Sequence, residues 1–250
     1  MKSTLKRILI VLGIVVILLI IFIVSYGYRA NLAMKKMTSI ETGELINNVY
    51  AINDAYVNLF LIKGQDKYIA IDCGNELENI ESGLKSLGIN SGDIIAIFLT
   101  HSDFDHIAGL DIFGNAKVYL SKDEEQMING KQARFFSIAK NKINTSDYLL
   151  IDDEQIVNID GIKIQGISNP GHTPGAMSYL INNSYLFTGD ALKLEDGRVT
   201  LFYDIFNMDS DEAKTSINKL MNIKEVEYLF TAHTGYSDNY KLLVTQWTDR

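Results

Sequence analysis

The stretch LTHSDFDHIAG, residues 99–109, places two histidines and two aspartates within six residues, directly after an almost wholly apolar run. The chain of 250 residues has only four histidines, so half of them lie in this stretch. Imidazole and carboxylate groups are common ligands of divalent metal ions in proteins. The stretch therefore predicts one part of a metal site, whose other ligands must come from elsewhere in the chain.

The two remaining histidines lie in similar surroundings. His172 lies in NPGHTPG and His233 in TAHTG, and Asp190 lies between them in TGDAL. Most of these turns follow a predicted strand, and all are rich in glycine or threonine. The only prolines of the chain, Pro170 and Pro174, flank His172, and the fixed backbone angle of proline stiffens this loop. One such histidine could be an ordinary loop residue, but four out of four favour a metal site.

The spacing of these side chains suits two metal sites joined by a bridging carboxylate. Each set combines two histidines with one aspartate, and one further aspartate is shared between them. The predicted sets are His101, Asp103 and His172 for the first ion, Asp105, His106 and His233 for the second, and Asp190 as the bridge.

Five segments, taken in their order along the chain, resemble the metallo-β-lactamase superfamily. They are IDCG, THSDFDH, PGHTPG, TGDAL and AHTG, and the resemblance runs from about Val49 to Gly235. The segments around His172 and Asp190 are most similar to the glyoxalase II-like and general metallo-hydrolase branch. The resemblance implies an α/β fold, a four-layer αββα sandwich with the metals at one rim between the sheets. It also implies the same seven metal ligands.

The motif departs from the usual family pattern at one position. The family pattern is H-x-H-x-D-H, whereas this chain has H-x-D-x-D-H, with Asp103 in place of a histidine. A carboxylate at this place resembles the diiron flavoproteins and the metal domain of DNA-uptake channels. The cofactor predicted is two divalent metal ions, zinc first, with manganese or iron as alternatives because oxygen ligands suit harder ions.

Asp72 in IDCG has two interpretations at this point. The resemblance implies that it supports a metal-bound histidine by accepting the second N–H of the imidazole. The alternative is an aspartate that caps a turn.

The predicted reaction is hydrolysis by a hydroxide that bridges the two metals, with Asp105 and Asp190 as the catalytic carboxylates. The substrate would be a small molecule with an ester, thioester, lactone or amide bond. Two alternatives stay open, a phosphodiesterase or nuclease similar to the DNA-uptake domain and a non-catalytic metal-binding module. The net charge of −8 and the absence of a basic run argue against a nucleic-acid partner. The sequence predicts no oligomeric state.

Lys193 follows Asp190 by three residues and is a candidate substrate-binding residue. An ammonium group at the rim of the site would bind a carboxylate or phosphate of the substrate. The alternative is a solvated surface lysine, which is the usual place of this side chain.

The N-terminal segment Ile8–Val24 has seventeen residues without a polar or charged side chain. As a helix it would be about 26 Å long, close to the thickness of a membrane core. We predict an uncleaved single-pass anchor within residues 1–27, with a cleaved signal peptide as the alternative. The basic residues Lys2, Lys6 and Arg7 precede the segment and favour an extracytoplasmic catalytic domain in the cell membrane. A linker is expected over residues 28–39 and a hydrolase domain over residues 40–250.

Short apolar or alternating runs between turn residues predict many strands, and four longer runs predict helices. The turns Asp160–Gly161 and Asn182–Ser184 are expected to join hairpins. The predicted helices are Leu77–Leu87, Phe104–Ile112, Lys122–Ala139 and Ser210–Met221. The predicted strands are Val49–Asn53, Tyr56–Ile62, Tyr68–Ile71, Ile94–Leu99, Lys117–Leu120, Gln155–Ile159, Lys163–Ile167, Ser178–Ile181, Tyr185–Thr188 and Val226–Thr231.

Overall fold

The computed structural model describes residues 2–134, 141–143, 145 and 147–247. The chain divides into two compact units, an N-terminal helix that ends before Lys36 and a second unit that begins at Met37.

The first unit is helix α1, Lys2–Met34. Its segment Thr4–Met34 is long and apolar enough to cross a membrane, with a mean hydropathy of 3.6 in its most apolar 18-residue window. The sequence predicts a linker over residues 28–39, but the helix continues to Met34. Arginine, alanine, leucine and methionine, which favour helices, fill most of the positions after Gly27, and no proline interrupts them.

The first sheet of the second unit has seven strands in chain order. Strands β1 to β4 are antiparallel neighbours, and β4 to β7 run parallel to one another. The bounds are β1 Gly43–Ile46, β2 Val49–Asp54, β3 Val57–Lys63, β4 Tyr68–Ile71, β5 Ile94–Phe98, β6 Lys117–Ser121 and β7 Tyr148–Ile151.

The second sheet has six strands in the order β15-β14-β11-β10-β9-β8, and β12 and β13 form a separate hairpin. The two predicted hairpin turns are confirmed, since Asp160–Gly161 joins β8 to β9 and Asn182–Ser184 joins β10 to β11. The bounds are β8 Ile156–Ile159, β9 Ile162–Ser168, β10 Met177–Ile181, β11 Tyr185–Phe187, β12 Leu192–Glu195, β13 Arg198–Leu201, β14 Tyr228–Phe230 and β15 Tyr236–Ser237.

Five described helices belong to the second unit. They are α2 Leu77–Leu87, α3 Phe104–Ile107, α4 Glu125–Ile128, α5 Ser210–Met221 and α6 Tyr240–Gln246. A 3₁₀ helix, Ala108–Phe113, continues α3, so the predicted helix Phe104–Ile112 is only partly α-helical. Two further 3₁₀ turns span Ser91–Asp93 and Asp204–Phe206.

The predicted helix Lys122–Ala139 is wrong over most of its described length. Only Glu125–Ile128 is α-helical, and residues 135–139 lie outside the described residues. The helix ends before Gly130, which has a φ of +81°. This left-handed conformation favours glycine and terminates a helix.

Three apolar clusters hold the layers of the second unit together. Aromatic and branched side chains from both sheets fill the space between them, among them Phe60, Phe98, Tyr179, Phe187 and Phe230. Ile80 and Leu84 of α2 cover the outer face of the first sheet. Ile217 and Leu220 of α5 and Leu243 of α6 cover the outer face of the second. The prediction of a four-layer αββα sandwich is confirmed.

Candidate metal centre

The loops that follow five strands bring Asp72 and four of the seven predicted ligands to one edge of the sandwich. Asp72 directly follows β4, and His101 follows β5. On the second sheet, His172, Asp190 and His233 follow β9, β11 and β14. Strands β4 and β5 are parallel neighbours in the first sheet, and β11 and β14 are parallel neighbours in the second. In each sheet, the carboxyl ends of the two strands therefore lie at the same edge.

Helix α3 supplies the remaining ligands of the motif. Asp103 is the residue before its first turn, and Asp105 and His106 lie within it. All four histidines are buried. Burial of so many polar rings is costly unless each has a partner.

Six of the seven predicted ligands form two groups. Within each group the candidate ligand atoms lie within 4.8 Å of one another. One group is His101, His172 and Asp190, and the other is Asp105, His106 and His233.

The two carboxylate oxygens of Asp190 face the histidines of different groups. Its Oδ1 lies 3.1 Å from His233 Nε2 and 3.5 Å from His106 Nε2. Its Oδ2 lies 3.4 Å from His172 Nε2. This is the arrangement expected of a carboxylate between two metal positions.

The ring nitrogens of the histidines fit a metal centre. Each Nδ1 lies within hydrogen-bond distance of an oxygen: Thr100 Oγ1 for His101, Asp72 Oδ2 for His106, Asn207 Oδ1 for His172 and the Tyr56 carbonyl for His233. A histidine that donates through Nδ1 keeps the lone pair of Nε2 for a metal ion. The Nε2 atoms of His101 and His106 are buried and make no hydrogen bond with any described residue. The donor set therefore suits divalent ions of the zinc, manganese or iron type.

The contacts of Asp72 favour the supporting role over the turn cap. Its Oδ2 lies 2.8 Å from His106 Nδ1, and it accepts hydrogen bonds from the backbone N–H and hydroxyl of Thr100. These partners lie about thirty positions away along the chain, whereas a turn cap bonds to its immediate neighbours.

The charges of the site shift the pKa values of its members in opposite directions. Burial would raise the pKa of Asp190, but the imidazoles of His233, His106 and His172 hold it well below its usual range. Burial would lower the pKa of His106, but Asp72, Asp105 and Asp190 raise it to about 10.

His172 is shifted the other way. Burial and the nearby charge of Arg134 lower its pKa to about 4. Its ring is therefore neutral across the physiological pH range.

Sequence reasoning missed Arg134, which binds Asp103. The Nε of Arg134 donates to Asp103 Oδ1 at 2.8 Å, and its Nη2 lies 2.5 Å from Asp103 Oδ2. Burial would raise the pKa of Asp103, but the nearby imidazoles of His101 and His172 and the charge of Arg134 keep it well below its usual range. No local motif marks Arg134, because its partner lies 31 positions earlier in the chain.

Sequence reasoning also missed Glu124, a fully buried carboxylate. It accepts hydrogen bonds from the backbone N–H and the hydroxyl of Ser102 and from the hydroxyl of Thr173. Ser102 lies beside His101 and Thr173 beside His172. Glu124 therefore ties together the two loops that carry these histidines.

Lys193 lies on strand β12 and is buried. Its ammonium pairs with Glu195 and lies 5.1 Å from the ring centroid of Tyr203. Substrate binding by Lys193 stays a prediction, and it would require the ammonium to exchange its present partner.

A family model described as the metallo-beta-lactamase superfamily matches residues 52–233, which cover most of the chain and include all seven predicted ligands. The chain belongs to the metallo-beta-lactamase superfamily.

Among its relatives is the probable polyketide biosynthesis zinc-dependent hydrolase PksB of Bacillus subtilis (strain 168). It is 32% identical over 173 residues, which span 68% of this chain and 67% of PksB. The probable metallo-hydrolase YqgX of the same organism is 26% identical over 72% of this chain and 86% of its own length. The prediction that the chain is a metal-dependent hydrolase is confirmed.

Solved structures of the superfamily share the fold. A beta-lactamase from Chitinophaga pinensis matches with a TM-score of 0.64 and 19% identity, covering 84% of this chain and 92% of that one. At this identity the likeness concerns the metallo-beta-lactamase fold alone, and the site must be interpreted from its own residues.

Proposed function

We propose that the chain is a binuclear hydrolase. The two proposed ligand sets are those predicted from the sequence, with His101, Asp103 and His172 for one ion and Asp105, His106 and His233 for the other. The observation that carries this proposal is the position of Asp190, whose two oxygens face different histidine groups. Zinc is the first candidate because the relative PksB is named a zinc-dependent hydrolase, and manganese or iron are alternatives.

Two divalent ions held there would make water acidic enough to attack at neutral pH and would polarise the substrate oxygen. The residues of the chain would hold the two ions and balance their positive charge. Asp190 holds negative charge between the two ligand groups. The Asp105 side chain is 21% exposed, against 17% for Asp103 and 5% for Asp190, and lies 3.6 Å from His233 Nε2, so it is the carboxylate of the site most open to water. We propose that Asp105 accepts the proton that the attacking water loses.

The substrate proposed is a small molecule with an ester, thioester, lactone or amide bond. One relative, from Glaesserella parasuis serovar 5, is named hydroxyacylglutathione hydrolase and is 28% identical over 59% of this chain and 54% of its own length. The net charge of −8 makes a polyanionic substrate less favourable.

The test of this proposal is the metal content and activity of the second unit, produced from Met37 onward. We expect about two divalent ions per chain, because seven ligand side chains can share them, and hydrolysis that chelation removes and added metal restores. Elemental analysis and a panel of ester, thioester, lactone and amide substrates provide the measurement. A metal content near zero after purification with zinc, manganese or iron would contradict the metal centre, and full metal content without turnover would indicate the non-catalytic alternative.

We also propose that α1 anchors the chain in the cell membrane with the second unit outside the cytoplasm. The apolar segment Thr4–Met34 supports the anchor, and Lys2, Lys6 and Arg7 before the apolar run support the orientation. Protease added to intact cells is expected to degrade the second unit, while a cytoplasmic control protein survives. Protection of the second unit would reverse the orientation, and a mature N-terminus near Tyr28 would show cleavage instead of anchoring.

A further inference from the structure

The guanidinium group of Arg134 contacts two proposed ligands of the same ion. Its Nη2 lies 2.5 Å from Asp103 Oδ2 and 2.8 Å from His172 Nε2. The same nitrogen lies 3.3 Å from the His172 carbonyl, and Nη1 donates to the Phe206 carbonyl at 2.6 Å. Arg134 therefore joins the motif loop of the first sheet to the His172 loop of the second.

These contacts use the atoms that would bind a metal ion. His172 Nδ1 faces Asn207 Oδ1, so Nε2 is the ring nitrogen left for a metal, and it is the one that Arg134 contacts. A guanidinium stays protonated in proteins. The lone pair of His172 Nε2 cannot accept a hydrogen bond from the guanidinium and bind a metal ion at the same time. Two positive charges this close also repel each other.

Asp103 can change partners without losing its place. Its Oδ1 also accepts a hydrogen bond at 3.0 Å from Asn141 Nδ2, which donates to Ser102 Oγ as well. If Arg134 withdrew, the contact with Asn141 would still hold Oδ1, and Oδ2 would be free to coordinate. The Asp103 carboxylate in H-x-D-x-D-H can therefore pair with an arginine as well as offer an oxygen ligand. A histidine at position 103 could not form this bidentate pair.

We propose that Arg134 is a built-in competitor for one of the two metal ions. The group formed by His101, Asp103 and His172 binds its ion only when the guanidinium leaves Asp103 and His172. The group formed by Asp105, His106 and His233 has no such competitor among the described residues and binds its ion first. This inference rests on the proposed two-ion centre.

The test is a titration of the metal-free full-length chain in detergent with zinc, followed by calorimetry and by elemental analysis of the bound metal. Arg134→Gln removes the competing charge. We expect it to strengthen the weaker zinc affinity by about ten-fold or more, because a bidentate, charge-assisted contact no longer has to be broken, and to leave the tighter affinity unchanged. The matched control is Lys142→Gln, which removes one exposed positive charge from a nearby segment. In the described part of the chain, no hydrogen bond or ion pair joins Lys142 to Asp103 or His172. This control is expected to change neither affinity.

Unchanged or weaker binding of the second ion in Arg134→Gln would overturn the proposal, because Arg134 would then support the site. One ion in the wild type and two in Arg134→Gln would confirm the competition while contradicting the two-ion state of the wild-type chain. One ion in both proteins would overturn both proposals. If Arg134→Gln does not fold, Arg134→Lys decides, since lysine keeps the charge without the planar fork; it should strengthen the weaker affinity by less than the glutamine variant would, and no change would overturn the competition.

Discussion

Replacing Asp190 by asparagine is expected to lower kcat/KM by about a thousand-fold or more, because the metal ions contribute several kcal/mol to stabilising the transition state. Asp190 directs Oδ1 toward His106 and His233 and Oδ2 toward His172. A carboxamide offers one oxygen and no charge, so it can serve only one of the two groups. Elemental analysis should therefore also show the loss of bound metal.

Asp111→Asn is the matched control for this change. Asp111 is exposed and lies in the 3₁₀ helix after α3, outside both ligand groups. It is expected to retain the activity and metal content of the wild type. Thermal unfolding of all three proteins separates loss of the site from loss of the fold. If Asp190→Asn were folded and kept more than about a tenth of the wild-type kcat/KM, the bridging role would be wrong.

The second large effect is expected at Gly175, which we predict to be essential for stability. A Cβ at this position would lie 1.9 Å from the backbone N of Glu124 and 2.3 Å from the backbone C of Asp123. These are backbone atoms, so the clash can be relieved only if two loops move apart. Gly175→Ala is therefore expected to lower the free energy of unfolding by more than about 3 kcal/mol, at the upper end of overpacking effects.

The same movement would disturb the metal centre. Glu124 holds Ser102 and Thr173 through short hydrogen bonds, and each of these residues lies beside a proposed histidine ligand. Urea unfolding of Gly175→Ala should be compared with that of Gly92→Ala, whose added Cβ would have no atom within 4 Å. The control is expected to change the free energy of unfolding by less than about 1 kcal/mol. Equal stabilities of the two variants would show that the loops separate at little cost.

The sequence by itself determined the fold family and the set of candidate ligands. Both depend on residues whose role is local: histidines and aspartates in short turns directly after strands. Hairpin turns such as Asp160–Gly161 are likewise decided by the conformations available to two adjacent residues. Where a local signal was overlooked, the prediction was wrong, as for Lys122–Ala139, because Gly130 ends the helix early.

Only the tertiary structure decided which partners surround these ligands. Asp72 contacts Thr100 and His106 because β4 and β5 are neighbours in the sheet. Arg134 reaches both Asp103 and His172, which are 69 positions apart. Such contacts leave no periodicity or spacing in the sequence, because a buried charge needs a partner close in space and not close along the chain. For the same physical reason the sequence could name Asp103 as a departure from the family motif, but only the folded chain shows the arginine that accompanies it.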